Sequence, residues 1–159
     1  MRRAAVAASL CLAFAACEAR PPSRAETAVA GLVKRRVTVG GTGDRNPLPD
    51  TAEVAAQGAE AFSHYCMVCH GLDGRSTGVP FAATMSPPIP SLASPEVQGY
   101  ADGQLRRIIS GGLWPSGMPA SRGILNDEEI WSIVRFLRHL PPAGSLGEPP
   151  VYGGGPPPR

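Results

Sequence analysis

Apolar positions recur with a helical period in three stretches of the chain, and runs of glycine and proline interrupt the pattern between them. In the first stretch Val54, Gly58, Ala61, Phe62 and Tyr65 follow one another at spacings that lay them on a single helix face. The preceding "PDTAE" supplies a start: Asp50 can accept hydrogen bonds from the first free backbone amides, and Glu53 stands three residues on, at capping-box spacing. The second stretch runs from about Asp102 to Ser110, carries Leu105, Ile108 and Ile109, and stops at Gly111 and Gly112, where a left-handed residue is easily accommodated. The third opens at Asn126 with Glu129 in the capping-box position and stripes Ile130, Ile133, Val134, Leu137 and Leu140 along one side. Arg138 and His139 close it at the negative end of the helix dipole. No segment alternates as a strand should. "RVTV" before Gly40 lacks a partner of similar pattern, and there is no internal repeat. The pattern predicts an all-α domain.

Outside these stretches the chain reads differently. Arg2 and Arg3 precede an apolar run from Ala4 to Ala16 that is too short to span a bilayer and suits a secretory signal, residues 1–16. The run ends in "FAAC", similar to the bacterial lipobox although Phe14 stands where leucine is usual, which makes Cys17 the expected site of lipidation and a membrane anchor. Residues 17–49 scatter proline, glycine and charge, and read as a flexible tether. From Pro141 and Pro142 onward, residues 141–159 form a Pro/Gly-rich tail expected to be extended or disordered. That leaves 50–140 to fold.

Composition adds two constraints. Aromatic residues make up only 6% of the chain, thin material for a core, so a bound cofactor that supplies apolar bulk fits the picture. The net charge of +2 is unevenly spread: residues 1–49 carry +5 and residues 50–145 carry −3. The basic part is leader and tether, no basic groove interleaves with aromatics, and nucleic acid is not an expected partner.

The candidate chemistry lies in "CMVCH", residues 66–70. Three chemistries use such a cluster: a redox disulfide, half of a zinc site, or covalent haem attachment. Zinc needs four ligands, and the folding region has no second pair, since Cys11 and Cys17 lie in the leader and tether and His64 and His139 do not form a pair. A thioredoxin-like disulfide belongs at a strand–helix junction, and no such strands are present. Haem attachment needs two thiols spaced by two residues, to add across the two vinyl groups, and a histidine directly after them for the iron. Cys66, Cys69 and His70 supply all three.

"AEVAAQGAEAFSHYCMVCHG", followed downstream by "SGMPA" and "LNDEEIWSIVRFLRHL", resembles a small class I cytochrome c over roughly residues 50 to 140. The resemblance implies that the first and last helices cross near-perpendicularly, with Gly58 and Phe62 meeting Phe136. It implies one covalently bound haem c. It also implies an axial methionine, and the family keeps that methionine in the position of Met118, where Gly117 lets the backbone come close and Pro119 stiffens the exit. Met85, in a loop long enough to travel, is the competitor; Met67, His64 and His139 are less favourably placed. A proline carbonyl that orients the proximal imidazole falls among Pro87, Pro88 and Pro90, and Trp114, Arg106 and Arg107 are candidates to reach a propionate.

Such a centre, with His70 and Met118 both on the iron, has no vacant coordination position, and its natural act is one-electron exchange. The expected function is therefore electron transfer rather than catalysis, by a periplasmic carrier held at the membrane through Cys17, either a shuttle or a subunit of a respiratory or dehydrogenase chain. Its partners would be redox proteins. The alternative is a haem enzyme or gas sensor in which the methionine dissociates.

Overall fold

The computed structural model describes residues 23–33, 39–114 and 116–153. The chain divides into two units, 1–34 and 35–159. The expected signal and Cys17 lie outside the described residues. In the first unit α1, Arg24–Val33, forms within the stretch read as a flexible tether. Its start is a capping box: the Ser23 amide donates to Glu26 (2.7 Å) and the Glu26 amide to Ser23 Oγ (3.2 Å).

In the second unit, α2 (Ala52–Tyr65) runs into a single turn, α3 (Met67–His70). A long loop then leads to α4 (Pro95–Gln98), α5 (Asp102–Gly111) and α6 (Asp127–Arg138), and a 3-10 turn, Pro150–Tyr152, follows. No strand occurs among the described residues; only two isolated bridges do, Leu113 with Met118 and Arg122 with Leu125. The all-α expectation holds.

α6 is the centre of the unit. Ile130, Ile133, Val134 and Leu137 are buried as the periodicity predicts, and so are Trp131, Ser132 and Phe136, which lie off that stripe. A helix buried on more than one side needs more than one neighbour, and among the described residues α6 meets α2, α5, the segment before α2 and the end of α4, whose Gln98 donates to the Leu137 carbonyl. Against α2 the approach is backbone to backbone, because a Cβ on Gly58 would stand 2.0 Å from the Ser132 carbonyl oxygen. Beside that contact the Phe62 and Phe136 rings meet at 5.0 Å and 52°, so the three residues named by the resemblance do lie at the contact between α2 and α6.

The segment 39–49 is not a free tether. Asn46 donates to the Trp131 carbonyl (2.9 Å), Arg135 donates to the Leu48 carbonyl (2.6 Å), and Gly103 packs so closely that a Cβ there would lie 2.3 Å from the Gly41 oxygen. These contacts carry the folded unit back to residue 39. At its other end α6 is anchored by Arg138, which donates to Asp102 (2.9 Å) and to the carbonyls of Gln98 (2.9 Å) and Tyr100.

Of the two capped helix starts that the sequence predicts, one is found in place and one is shifted by a residue. Asn126 and Glu129 form their capping box (2.8 and 2.9 Å). At α2, Thr51 rather than Asp50 caps, accepting from the Val54 amide (3.4 Å), while Asp50 receives His139 Nε2 at 2.7 Å. The largest correction concerns the tail. Residues 141–153 fold back on the unit instead of trailing away: Gly144 bonds Asp73, Pro149 is fully buried, and a Cβ on Gly78 would meet Glu148 at 2.5 Å. Residues 154–159 of the expected tail lie outside the described residues.

Candidate functional site

Cys66 ends α2, its amide donating to the Phe62 carbonyl (2.8 Å), and the chain then winds one further turn in which Cys69 and His70 both donate to the Cys66 carbonyl (3.1 and 2.9 Å). This local helix puts residues three and four apart on one side, so Cys66, Cys69 and His70 share a face. Gly71 stops the turn with φ 67°, a left-handed value suited to glycine, and the chain doubles back within 2.8 Å of the Thr77 amide as measured from a Cβ built there.

Both cysteines are free thiols and half-buried. Burial, reinforced by the neighbouring Cys69, pushes the Cys66 thiol up to about 12, so it remains S–H at neutral pH. Burial pulls the His70 imidazole down to about 4, which keeps it neutral and its ring nitrogen available to a metal. His70 Nδ1 is buried without a hydrogen-bond partner. A core histidine in its final state would not leave that nitrogen unpaired, since the omission costs about 1–3 kcal/mol. Two free thiols on one turn, which can add across two vinyl groups, and a neutral, half-buried imidazole beside them form a donor set that fits a covalently attached haem. Among the described residues no three His, Cys, Asp or Glu side chains converge as a metal-ion ligand set.

The two candidate methionines approach the same loop. Gly112 ends α5 with φ 68°, and the Leu113 amide donates to the Met118 carbonyl (3.0 Å), closing a loop that contains Gly117 at φ 84°. Met118 is half-buried against the core. The Met85 methyl lies 3.6 Å from where a Cβ on Gly117 would stand, so the competitor is a neighbour of the favoured residue. His64 Nδ1 donates to its own helix at the Glu60 carbonyl (2.8 Å), and His139 is paired with Asp50. Met67 sits within α3 itself. None of Pro87, Pro88 and Pro90 accepts from His70 Nδ1. Arg106 lies over Trp131 and bonds Asp127 (2.6 Å), Arg107 pairs with Asp44 (3.3 Å), and Trp114 is 96% exposed.

Sequence reasoning missed the polar cluster that organises the loop after His70. Asp73 has no exposed surface. Its carboxylate accepts from the Arg75 amide (2.9 Å), Thr77 Oγ1 (2.6 Å) and the Gly144 amide (2.9 Å). Burial pushes its carboxyl up, but the hydrogen bonds from Thr77, Gly144 and Arg75 outweigh it and hold it below the usual carboxylate range. An aspartate followed by glycine in "LDGRST" signals a turn in which the side chain bonds the backbone two residues on. The partner at Gly144 has no local signature.

The sequence model of the family described as cytochrome C oxidase, cbb3-type, subunit III matches residues 53–137, from the start of α2 almost to the end of α6. No curated protein matches the chain. A match over more than half of the sequence, which includes the turn that carries both thiols, shows that the chain belongs to this family, and it is accordingly a class I c-type cytochrome domain that binds haem c covalently and serves electron transfer.

Proposed function

We propose that the protein is a one-electron carrier in which Cys66 and Cys69 hold the haem through thioether bonds, His70 binds one face of the iron and Met118 the other. The observation that carries this reading is the single helical turn that sets two free thiols beside a half-buried, neutral imidazole whose buried Nδ1 has no protein partner. When bound, the haem supplies reversible exchange between ferric and ferrous iron. The chain's own contribution is to fix the ring by two side chains of one turn, to fill both axial positions, and to surround the site with apolar groups. A neutral thioether from Met118 and the burial of Phe62 and Phe136 both disfavour the extra charge of the ferric state, and so raise the potential.

The choice between the two methionines is testable in one spectrum. Met118→Ala is expected to abolish the iron-to-sulfur charge-transfer band of the oxidised protein, while Met85→Ala leaves it in place. A band that survives in Met118→Ala and disappears in Met85→Ala assigns the ligand to Met85 instead.

Domains of this kind are typically exported to the periplasm, and no helix among the described residues is long and apolar enough to cross a membrane. Lipidation at Cys17 would keep the carrier at the membrane and raise its effective concentration near redox partners there. Wild-type protein is expected to partition into detergent and Cys17→Ala into the aqueous phase; identical partitioning removes the anchor from the account. With the acidic excess of residues 50–145 slight, charge alone selects no donor or acceptor.

A further inference from the structure

The segment that leaves α6 bonds the loop after His70 at its beginning and the attachment turn itself at its far end. At its beginning, Arg75 Nη1 donates to the Pro141 carbonyl, and the Gly144 amide donates to Asp73 Oδ2 (2.9 Å). At its far end, the Tyr152 hydroxyl donates to the Val68 carbonyl (2.7 Å), with the Tyr152 ring set edge-on against Phe81 (6.0 Å, 80°). Val68 stands between the two cysteines. In a helix of one turn the last carbonyls have no partners of their own; Met67 finds one in the Gly71 amide, and Val68 finds one in Tyr152. Asp73 depends on the segment as well, because a fully buried carboxylate is tolerable only with its acceptor capacity filled, and one of its donors is the Gly144 amide.

We infer that residues 141–153 are a strap, latched at Asp73 and at Val68, that holds the attachment turn in position and keeps water from it. Asp73 and Tyr152 are then positioning residues: they act on the redox centre through the turn. The strap itself is independent of how the iron is ligated, whereas its effect on the redox centre rests on the function proposed above. Water reaching the centre stabilises the more highly charged ferric form, so a loosened strap shifts the potential negative.

The test uses full-length holoprotein, with haem that remains on the denatured chain confirming covalent attachment in each variant. Amide exchange and midpoint potential are compared for wild type, Tyr152→Phe and Asp73→Asn. Tyr152→Phe removes one hydroxyl and keeps the ring on Phe81, so folding is preserved. Exchange over 142–153 is expected to be slow in wild type and about tenfold faster in Tyr152→Phe, the effect of one lost hydrogen bond. Asp73→Asn is expected to be faster again, and the potential of both variants to move negative in the same order. Wild-type exchange at the rate of an open chain overturns the strap. Faster exchange in the variants with an unmoved potential overturns its positioning role, and absence of covalent haem in wild type counts against the proposed function and leaves the exchange result to judge the strap.

Discussion

Gly58→Ala is expected to destabilise the protein by about 3 kcal/mol, at the upper end of the range for inserting one methyl group into a packed core. The sign is not what helix propensity gives. In the middle of a helix alanine is favoured over glycine by roughly 0.5–1 kcal/mol, so the penalty has to exceed that gain before it is seen at all. It does so because the new Cβ would stand 2.0 Å from the Ser132 oxygen, 2.4 Å from the Ser132 carbonyl carbon and 2.9 Å from the Ile133 nitrogen. All three are backbone atoms of α6 and cannot turn aside as a side-chain end can. Relief requires α2 and α6 to separate, which opens the Phe62–Phe136 contact as well. Gly111 is the internal control: it ends α5 with nothing within 4 Å of a built Cβ. There the same substitution is expected to be neutral or slightly stabilising. Denaturant midpoints of the two variants against wild type decide the matter, and equal midpoints for Gly58→Ala and wild type would remove the crossing from its place as the organising contact.

The sequence makes this crossing legible only in part, and the reason is physical. Periodicity reports which residues face inward, and it reports α6 well, where Ile130, Ile133, Val134 and Leu137 are buried, and α2 only at Gly58 and Phe62. It does not report that α6 has neighbours on several sides, so Trp131, Ser132 and Phe136 are buried beyond the predicted stripe, nor where the cover over α2 stops, so Tyr65 at the end of its stripe is exposed. Gly58 is visible as an in-register small residue, yet only the resemblance makes it a contact. Capping signals behave similarly. Asn126 with Glu129 is a local pair and is found where the sequence places it, whereas the choice between Asp50 and Thr51 is settled by His139, 89 residues away. Ser23 with Glu26 carried the same local signal for α1 within a stretch that otherwise reads as tether. The tail is the clearest case. Proline and glycine lower the tendency of 141–153 to form helix or strand, but they do not prevent it from being held by side chains elsewhere, and Asp73, Arg75 and the Val68 carbonyl hold it. Composition speaks of local conformational preference; these partners lie roughly 65 to 85 residues back along the chain. The candidate site divides along the same line. Cys66, Cys69 and His70 share one turn because they are adjacent in sequence, which is why the candidate cluster can be read there, while Asp73 gains its place from a long-range partner.

Replacing both Cys66 and Cys69 by serine is expected to abolish covalent haem while leaving the polypeptide able to fold. Serine is close to cysteine in size, and the hydrogen bonds that shape the turn run through the backbone amides of residues 66, 69, 70 and 71, which the substitutions do not touch. A hydroxyl does not replace the thiol in forming the thioether, so haem remaining with the double variant would be held only by His70, the distal ligand and the apolar wall. Haem should then leave the chain on complete denaturation, whereas in wild type it stays. The consequence for stability is quantitative. A ligand that binds only the folded state and leaves on unfolding stabilises by RT ln(1 + [L]/Kd), so each tenfold increase in free haem above Kd adds about 1.4 kcal/mol. A covalently attached haem is not released by unfolding, and its effective concentration is fixed by the chain rather than by the solution. The unfolding midpoint of the wild-type holoprotein is therefore expected to be indifferent to added haem, and that of Cys66→Ser/Cys69→Ser to climb with it. Haem that stayed on the denatured double variant would show that some other group makes the attachment. A wild-type midpoint that rose with added haem would show that the two thiols do not carry it.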